Sequence, residues 1–254
     1  MLIDTHCHLE EKEYSDLDDL INEIFETNVG TLIVSGYDVK SSKEAIALAH
    51  KYNNIYATVG FHPHDSGTIT DEDYSLFDKW LLDEKVVGVG EIGLDYFYDL
   101  DQRNEQIEMF KRQLDIATKF NKPVVIHNRD ASTDIYNILK DTKARGVIHC
   151  FNDNLEMATK FMDLGFYLGV GGIITFKNNN IKNVIQSVPL DYIVLETDSP
   201  YLTPEPHRGK QNSPLNLPLI AHAISNLKDM EYNEVATMTT SNAKHIFDFR
   251  HDLW

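Results

Sequence analysis

The chain is poor in cysteine, in basic charge and in long apolar runs, and each shortage excludes a class of protein. Only two cysteines, Cys7 and Cys150, occur in 254 residues. Both fall within runs that read as strands, so they are expected as small core residues and not as a disulfide framework, with Cys150 also a conceivable metal ligand. Lysine and arginine total 23 against 40 acidic residues, a net charge of -17. That balance argues against a broad basic face for gripping duplex nucleic acid. It leaves room for cleavage of a small or single-stranded anion, because ions held in a cleft bring their own positive charge. No apolar run approaches the ~20 residues of a membrane span. The chain enters its first strand without a basic or cleavable leader, and a cytoplasmic protein without a membrane partner is expected.

What is present points to a barrel. Hydrophobic residues make up 42% of the chain, and 254 residues suit the ~250 of one (β/α)₈ barrel. Runs rich in β-branched residues alternate with segments whose apolar residues recur every three or four positions, the pattern of repeated βα units around a parallel sheet. Strands are expected at Leu2 to Leu9, Gly30 to Tyr37, Ile55 to Pro63, Val86 to Asp95, Pro123 to Arg129, Arg145 to Phe151, Phe166 to Gly172 and Tyr192 to Pro200. Helices are expected at segments such as Leu17 to Asn28, Ser41 to Tyr52, Asp71 to Leu82, Gln102 to Phe120 and Leu155 to Leu164, then Asn216 to Leu227 and Asn233 to Phe247. Ser41-Ser42 with Glu44, and separately Asp71, look like helix starts. The loop Thr203 to Leu215 is rich in Pro, Gly and Asn and long for such a fold, which marks it as functional. No linker or repeat breaks the chain, so the expected fold is α/β, a (β/α)₈ TIM barrel in one domain over residues 1–254.

In that architecture the active site lies at the C-terminal strand ends. Asp4, His6 and His8 share one face of the first strand, with Ile3, Thr5 and Cys7 on the other, so imidazoles at i and i+2 are placed to grip one cation. His62 and His64 follow strand three, and Glu91 and Asp95 lie at the end of strand four. His127 and Arg129 end strand five, His149 ends strand six, and Glu196 and Asp198 end strand eight. A lone histidine at a strand end is ordinarily a hydrogen-bonded structural residue. Here four histidines and two carboxylates on five strands converge on one mouth, which independent accidents rarely arrange. Imidazole and carboxylate without thiolate suit Zn²⁺, Mn²⁺ or Mg²⁺. There are ligands enough for two ions, and Glu91, central in their order, suits the bridge. Such a pair, ~3.5 to 4 Å apart, activates water and clamps the attacking and leaving oxygens of an in-line displacement. Asp4 and Glu196 sit deeper, as groups that orient imidazoles or complete a polar network in the core.

The segments DTHCHL, GFHPH, GEIGLDY, PVVIHNR, VIHCF and LETDSPYLTPEPHRGKQNSP together resemble the TatD-type metal-dependent hydrolases, also called TatD-type deoxyribonucleases, over essentially the whole chain. The resemblance implies that His6, His8 and Asp198 bind one metal, that Glu91 bridges, and that His127 and His149 bind the second. It implies that Asp198 also accepts the proton of the nucleophilic water, and that His62, His64, Arg129, Arg208 and Lys210 contact substrate phosphates. The implied substrate is DNA, single-stranded or at strand ends, and a monomer is expected. One departure is that Phe151 is followed by Asn152-Asp153-Asn154 where the family often has a Ser/Thr-Gly-Ser type of turn. Ester or amide hydrolysis, such as aminoacyl-tRNA deacylation, is the alternative within hydrolases. A non-catalytic metal-binding scaffold is the alternative outside them, and intact Glu91 and Asp198 speak against it. Phe61, Tyr96, Phe97, Tyr98 and Tyr201 near strand ends suit either stacking on bases or flooring a pocket.

Overall fold

Branched side chains at Cβ favour the extended chain, and in the computed structural model, which describes residues 1–97, 102–177 and 179–249, the eight runs form strands. They are β1 (Leu2–Cys7), β2 (Val29–Ser35), β3 (Ile55–Val59), β4 (Val86–Asp95), β5 (Val124–Arg129), β6 (Gly146–Ile148), β7 (Tyr167–Val170) and β8 (Ile193–Leu195). They pair in parallel, in the order β1 to β8. Around them run α1 (Leu17–Phe25), α2 (Val39–Lys51), α3 (Asp71–Trp80), α4 (Arg103–Lys119), α5 (Ser132–Leu139), α6 (Leu155–Asp163), α7 (Ile181–Ser187), α8 (Leu217–Lys228) and α9 (Tyr232–Phe247). This is the expected TIM barrel. No helix among the described residues is long and apolar enough to cross a membrane.

The seam between β1 and β8 is closed by polar groups beside the site. Asp198 N–H donates to the His6 carbonyl at 2.9 Å and His8 N–H to the Ser199 carbonyl at 2.7 Å. Asp4 accepts from Thr197 N–H at 3.0 Å and from its hydroxyl at 2.6 Å. Burial pushes the Asp4 carboxyl up to about 8. Asp4 therefore completes the polar network of the seam and touches no imidazole ring by hydrogen bond.

Each strand sends one side chain into an interior layer below the site: Ile3, Ile33, Tyr56, Val87, Val125, Val147, Tyr167 and Val194. Ala243, Ile246 and Phe247 of α9 plug it from beneath. With the floor apolar and packed, polar side chains collect at the opposite end.

The expected boundaries shift where the site makes demands. β6 and β8 are only three residues each, because Cys150 (φ 46) and Asp198 (φ 54) turn left-handed just beyond them and end the ladder. Glu91 lies within β4, not at its end. β1 breaks strict alternation: Leu2 and Cys7 both pack against the helices while Ile3 joins the interior layer. The register with β2 shifts between Asp4 and Cys7, which supplies the break. α2 starts earlier than Ser41, because Asp38 caps it and Ser41 closes the capping box from inside the helix. α3 begins at Asp71 as expected, with Thr70 as its cap.

Candidate metal centre

His6 and His8 are held by one residue of the neighbouring strand. The Ser35 carbonyl accepts from His8 Nδ1 at 2.9 Å, and the Ser35 hydroxyl lies 3.0 Å from His6 Nδ1. A carbonyl only accepts, so His8 carries a hydrogen on Nδ1, which leaves Nε2 to face the other candidate ligands. Burial pushes His6 down to about 3, with the nearby His149 adding to it. Two imidazole Nε2 atoms thus stand 3.2 Å apart. Glu91 Oε2 lies 3.5 and 3.6 Å from them, and Asp198 Oδ1 lies 3.7 and 3.8 Å from them. Metal–nitrogen bonds of ~2.0–2.1 Å in a tetrahedron separate ligands by ~3.3 Å. His6, His8 and Glu91 offer ligand atoms within 4.8 Å of one another and could hold one divalent ion, with Asp198 Oδ1 facing the same two nitrogens.

The other oxygen of Glu91 serves a second group. Oε1 lies 2.8 Å from His127 Nδ1 and 3.1 Å from His149 Nε2. Glu91, His127 and His149 offer ligand atoms within 4.8 Å of one another. Behind these two rings stand two further carboxylates. Asp95 Oδ2 lies 3.0 Å from His127 Nε2, and Glu196 Oε1 lies 3.5 Å from His149 Nδ1. The Asp95 contact is a hydrogen bond of the kind that fixes which ring nitrogen faces a metal, whereas His149 Nδ1 makes none and Glu196 Oε1 accepts from Cys150 N–H. Glu196 fits because position 169 is glycine, where a Cβ would stand 2.3 Å from Glu196 Oε2.

Charge in the second group is shared between protons and carboxylates. Burial works against a charged His149, but Glu91 and Glu196 outweigh it and hold the ring well above its usual value. His127 is raised against the same burial by Asp95 and Glu91. Burial would also raise Glu91, yet His149, His127 and His6 together hold it well below the usual carboxylate range. Only burial dominates at Asp198, which is pushed up to about 6. A cation entering beside His127 and His149 must displace their protons, so affinity should rise with pH through neutrality. Calorimetric titration with Mn²⁺ at pH 7, in two buffers of different ionisation enthalpy, should give about one to two protons released per chain. Identical heats in both buffers would contradict this account.

The TatD related DNase family model matches residues 3–248. The chain belongs to the TatD-related DNase family. It is 40% identical over 252 residues to the uncharacterized metal-dependent hydrolase YabD of Bacillus subtilis (strain 168), covering 97% of this chain and 99% of that protein. The uncharacterized metal-dependent hydrolase YcfH of Escherichia coli (strain K12) is 35% identical over 256 residues, covering 97% and 95%. Among solved structures, the chain is similar to YjjV, a TatD homologue from Escherichia coli K12, with a TM-score of 0.91, 31% identity and coverage of 97% and 98%.

In this TatD-family barrel most of the anticipated residues meet at a cavity of about 740 Å³, lined by His8, His62, His64, Glu91, His127, Arg129, His149 and Asp198 among others. His62 Nδ1 accepts the His64 N–H at 3.3 Å, so a neutral His62 turns an Nε2–H donor toward Glu91. Burial pushes His62 down to about 3. Arg208 and Lys210 are exposed and do not line the cavity; the Arg208 guanidinium lies 4.0 Å over the Phe176 ring. In the unusual Asn152-Asp153-Asn154 turn, Asn152 lines the cavity and Asn154 caps α6 by accepting from Met157 N–H at 3.0 Å.

Three positioning residues escaped the sequence analysis. Besides Ser35, Gln106 and Gln113 of α4 are buried and grip backbone beside the site. Gln106 pairs with both N–H and carbonyl of Asp95, at 2.9 Å each. Gln113 pairs likewise with Phe61, next to His62, at 2.8 and 3.0 Å. Their spacing puts them on the face of Met109, Phe110 and Leu114, a periodicity that was readable.

Proposed function

We propose that this metal-dependent hydrolase of the TatD family cleaves DNA phosphodiester bonds, working on single strands or strand ends. Its six ligands, His6, His8, Glu91, His127, His149 and Asp198, would hold two ions, for which Zn²⁺, Mn²⁺ and Mg²⁺ are all chemically suited. One observation carries this reading: Glu91 turns Oε2 to His6 and His8 and Oε1 to His127 and His149, as a shared carboxylate must. Bound ions supply Lewis acidity toward the attacking water and the phosphate charge.

The remaining chemistry falls to side chains. Asp198, raised to about 6 by burial, suits a general base working near neutral pH and takes the proton of the attacking water. His62 through Nε2–H, with His64 and Arg129, hydrogen-bonds phosphate oxygens. Arg208 and Lys210, outside the cavity, would meet phosphates further along the strand. A cavity of about 740 Å³ is of small-ligand size, and the net charge of -17 offers little to a duplex backbone. Both favour a single strand or an end.

End-labelled single-stranded DNA, incubated with chelated protein and then with Mg²⁺-, Mn²⁺- or Zn²⁺-reconstituted protein, tests this. A product ladder that needs metal is expected, and it reveals which end is attacked. No cleavage with any ion, in protein shown to bind two, would overturn the nuclease reading in favour of ester or amide substrates.

A further inference from the structure

Two exposed aromatic residues follow opposite strands of the barrel. Phe97 follows β4 and is 55% exposed, and Tyr201 follows β8 and is 59% exposed. In a barrel ordered β1 to β8, the fourth and eighth strands are half a circuit apart. Among the described residues only Met1, Leu82 and Leu155 are comparably open large apolar side chains, so two of five follow strands β4 and β8, which carry or precede Glu91 and Asp198. Single exposed apolar residues are ordinary on a surface; what sets these two apart is what surrounds them.

The surroundings of the rings suggest what binds. The Arg129 guanidinium sits 3.8 Å over the Phe97 ring while Arg129 lines the cavity. Tyr201 also lines the cavity, its ring 6.3 Å from that of His8. The other aromatic candidates drop out. Phe61 is buried against Tyr74 and Phe77, and Tyr96 is buried with its hydroxyl donating to Asp134; Tyr98 lies outside the described residues.

Resting on the phosphodiesterase reading above, we propose that Phe97, backed by Arg129, and Tyr201 form a nucleobase clamp. Each ring stacks on a base flanking the scissile phosphate, so the protein selects polynucleotide strands over base-free phosphoesters. Every base has a π face, which makes this recognition tolerant of sequence. An exterior with a net charge of -17 offers little attraction to the phosphate backbone, and stacking supplies affinity that does not depend on charge.

The metal-loaded protein tests the clamp with Phe97→Ala, Tyr201→Ala, Phe97→Tyr and Tyr201→Phe. Substrates are a single-stranded oligonucleotide and the same oligomer with abasic residues at the cleaved end. Each Ala variant should raise KM about tenfold or more on the ordinary strand, with kcat and abasic turnover near wild type, and the aromatic replacements should restore KM. Equal effects on both substrates, or none on either, would overturn the clamp. Binding of a strand ending in 2-aminopurine gives a second readout. Its quenching should weaken in the Ala variants, and unchanged quenching counts against the clamp. If wild type cleaves neither substrate, the phosphodiesterase reading fails, and the quenching still decides the clamp.

Discussion

Asp198→Asn should lower turnover by about 10²- to 10⁴-fold, the range a positioned general base supplies, while the barrel stays folded. The substitution is nearly isosteric. The backbone N–H to His6 at 2.9 Å is retained, and asparagine tolerates the left-handed φ of 54 as aspartate does. What is lost is an ionisable carboxylate pushed to about 6 by burial. A base must be deprotonated to act, so wild-type activity should climb with pH through an acidic limb. A bound cation lowers that limb to about 6 or below, because opposite charge favours the carboxylate. The variant should lose the limb as well as the rate. Circular dichroism and a kcat–pH profile check both parts, and a kcat within about threefold of wild type would move the base to another residue.

If the site holds two ions as proposed, Glu91→Gln should weaken both together. A carboxylate that touches His127 and His149 through one oxygen and faces His6 and His8 through the other cannot be lost from one group alone. Affinity should fall by more than the ~10- to 100-fold that removing a group behind a ligand costs, and turnover should fall with it. His127→Ala, by contrast, should weaken one ion and spare the other. Metal stoichiometry by equilibrium dialysis separates the cases. One ion retained at wild-type affinity in Glu91→Gln would show that Glu91 serves a single group.

Legibility varied along the chain for physical reasons. The ligand residues stood out because imidazoles and carboxylates at successive strand ends have no packing reason to be there. The bounds expected for the fourth strand, Val86 to Asp95, are those of β4, but Glu91, read with Asp95 at its end, lies within it. The room for Glu196 beside His149 depends on the glycine at position 169, a residue of another strand that no local pattern links to it. Gln106 and Gln113 share a helix face with Met109, Phe110 and Leu114, but only the fold shows the backbone that they grip. Arg208 and Lys210 could be placed on a loop, but only coordinates show that this loop carries them outside the cavity.

From sequence alone came the alternation of strands and helices, the barrel, the side of the barrel that carries chemistry and the donor types that meet there. These follow from periodicity and from residue chemistry, both local properties of a chain. Tertiary structure alone decided which oxygen of Glu91 meets which imidazole, which carboxylate stands behind His127 and which behind His149. It also decided which aromatics remain exposed. Those are distances between segments as far apart as residues 6 and 198, and they exist only once the eight strands have closed on one another.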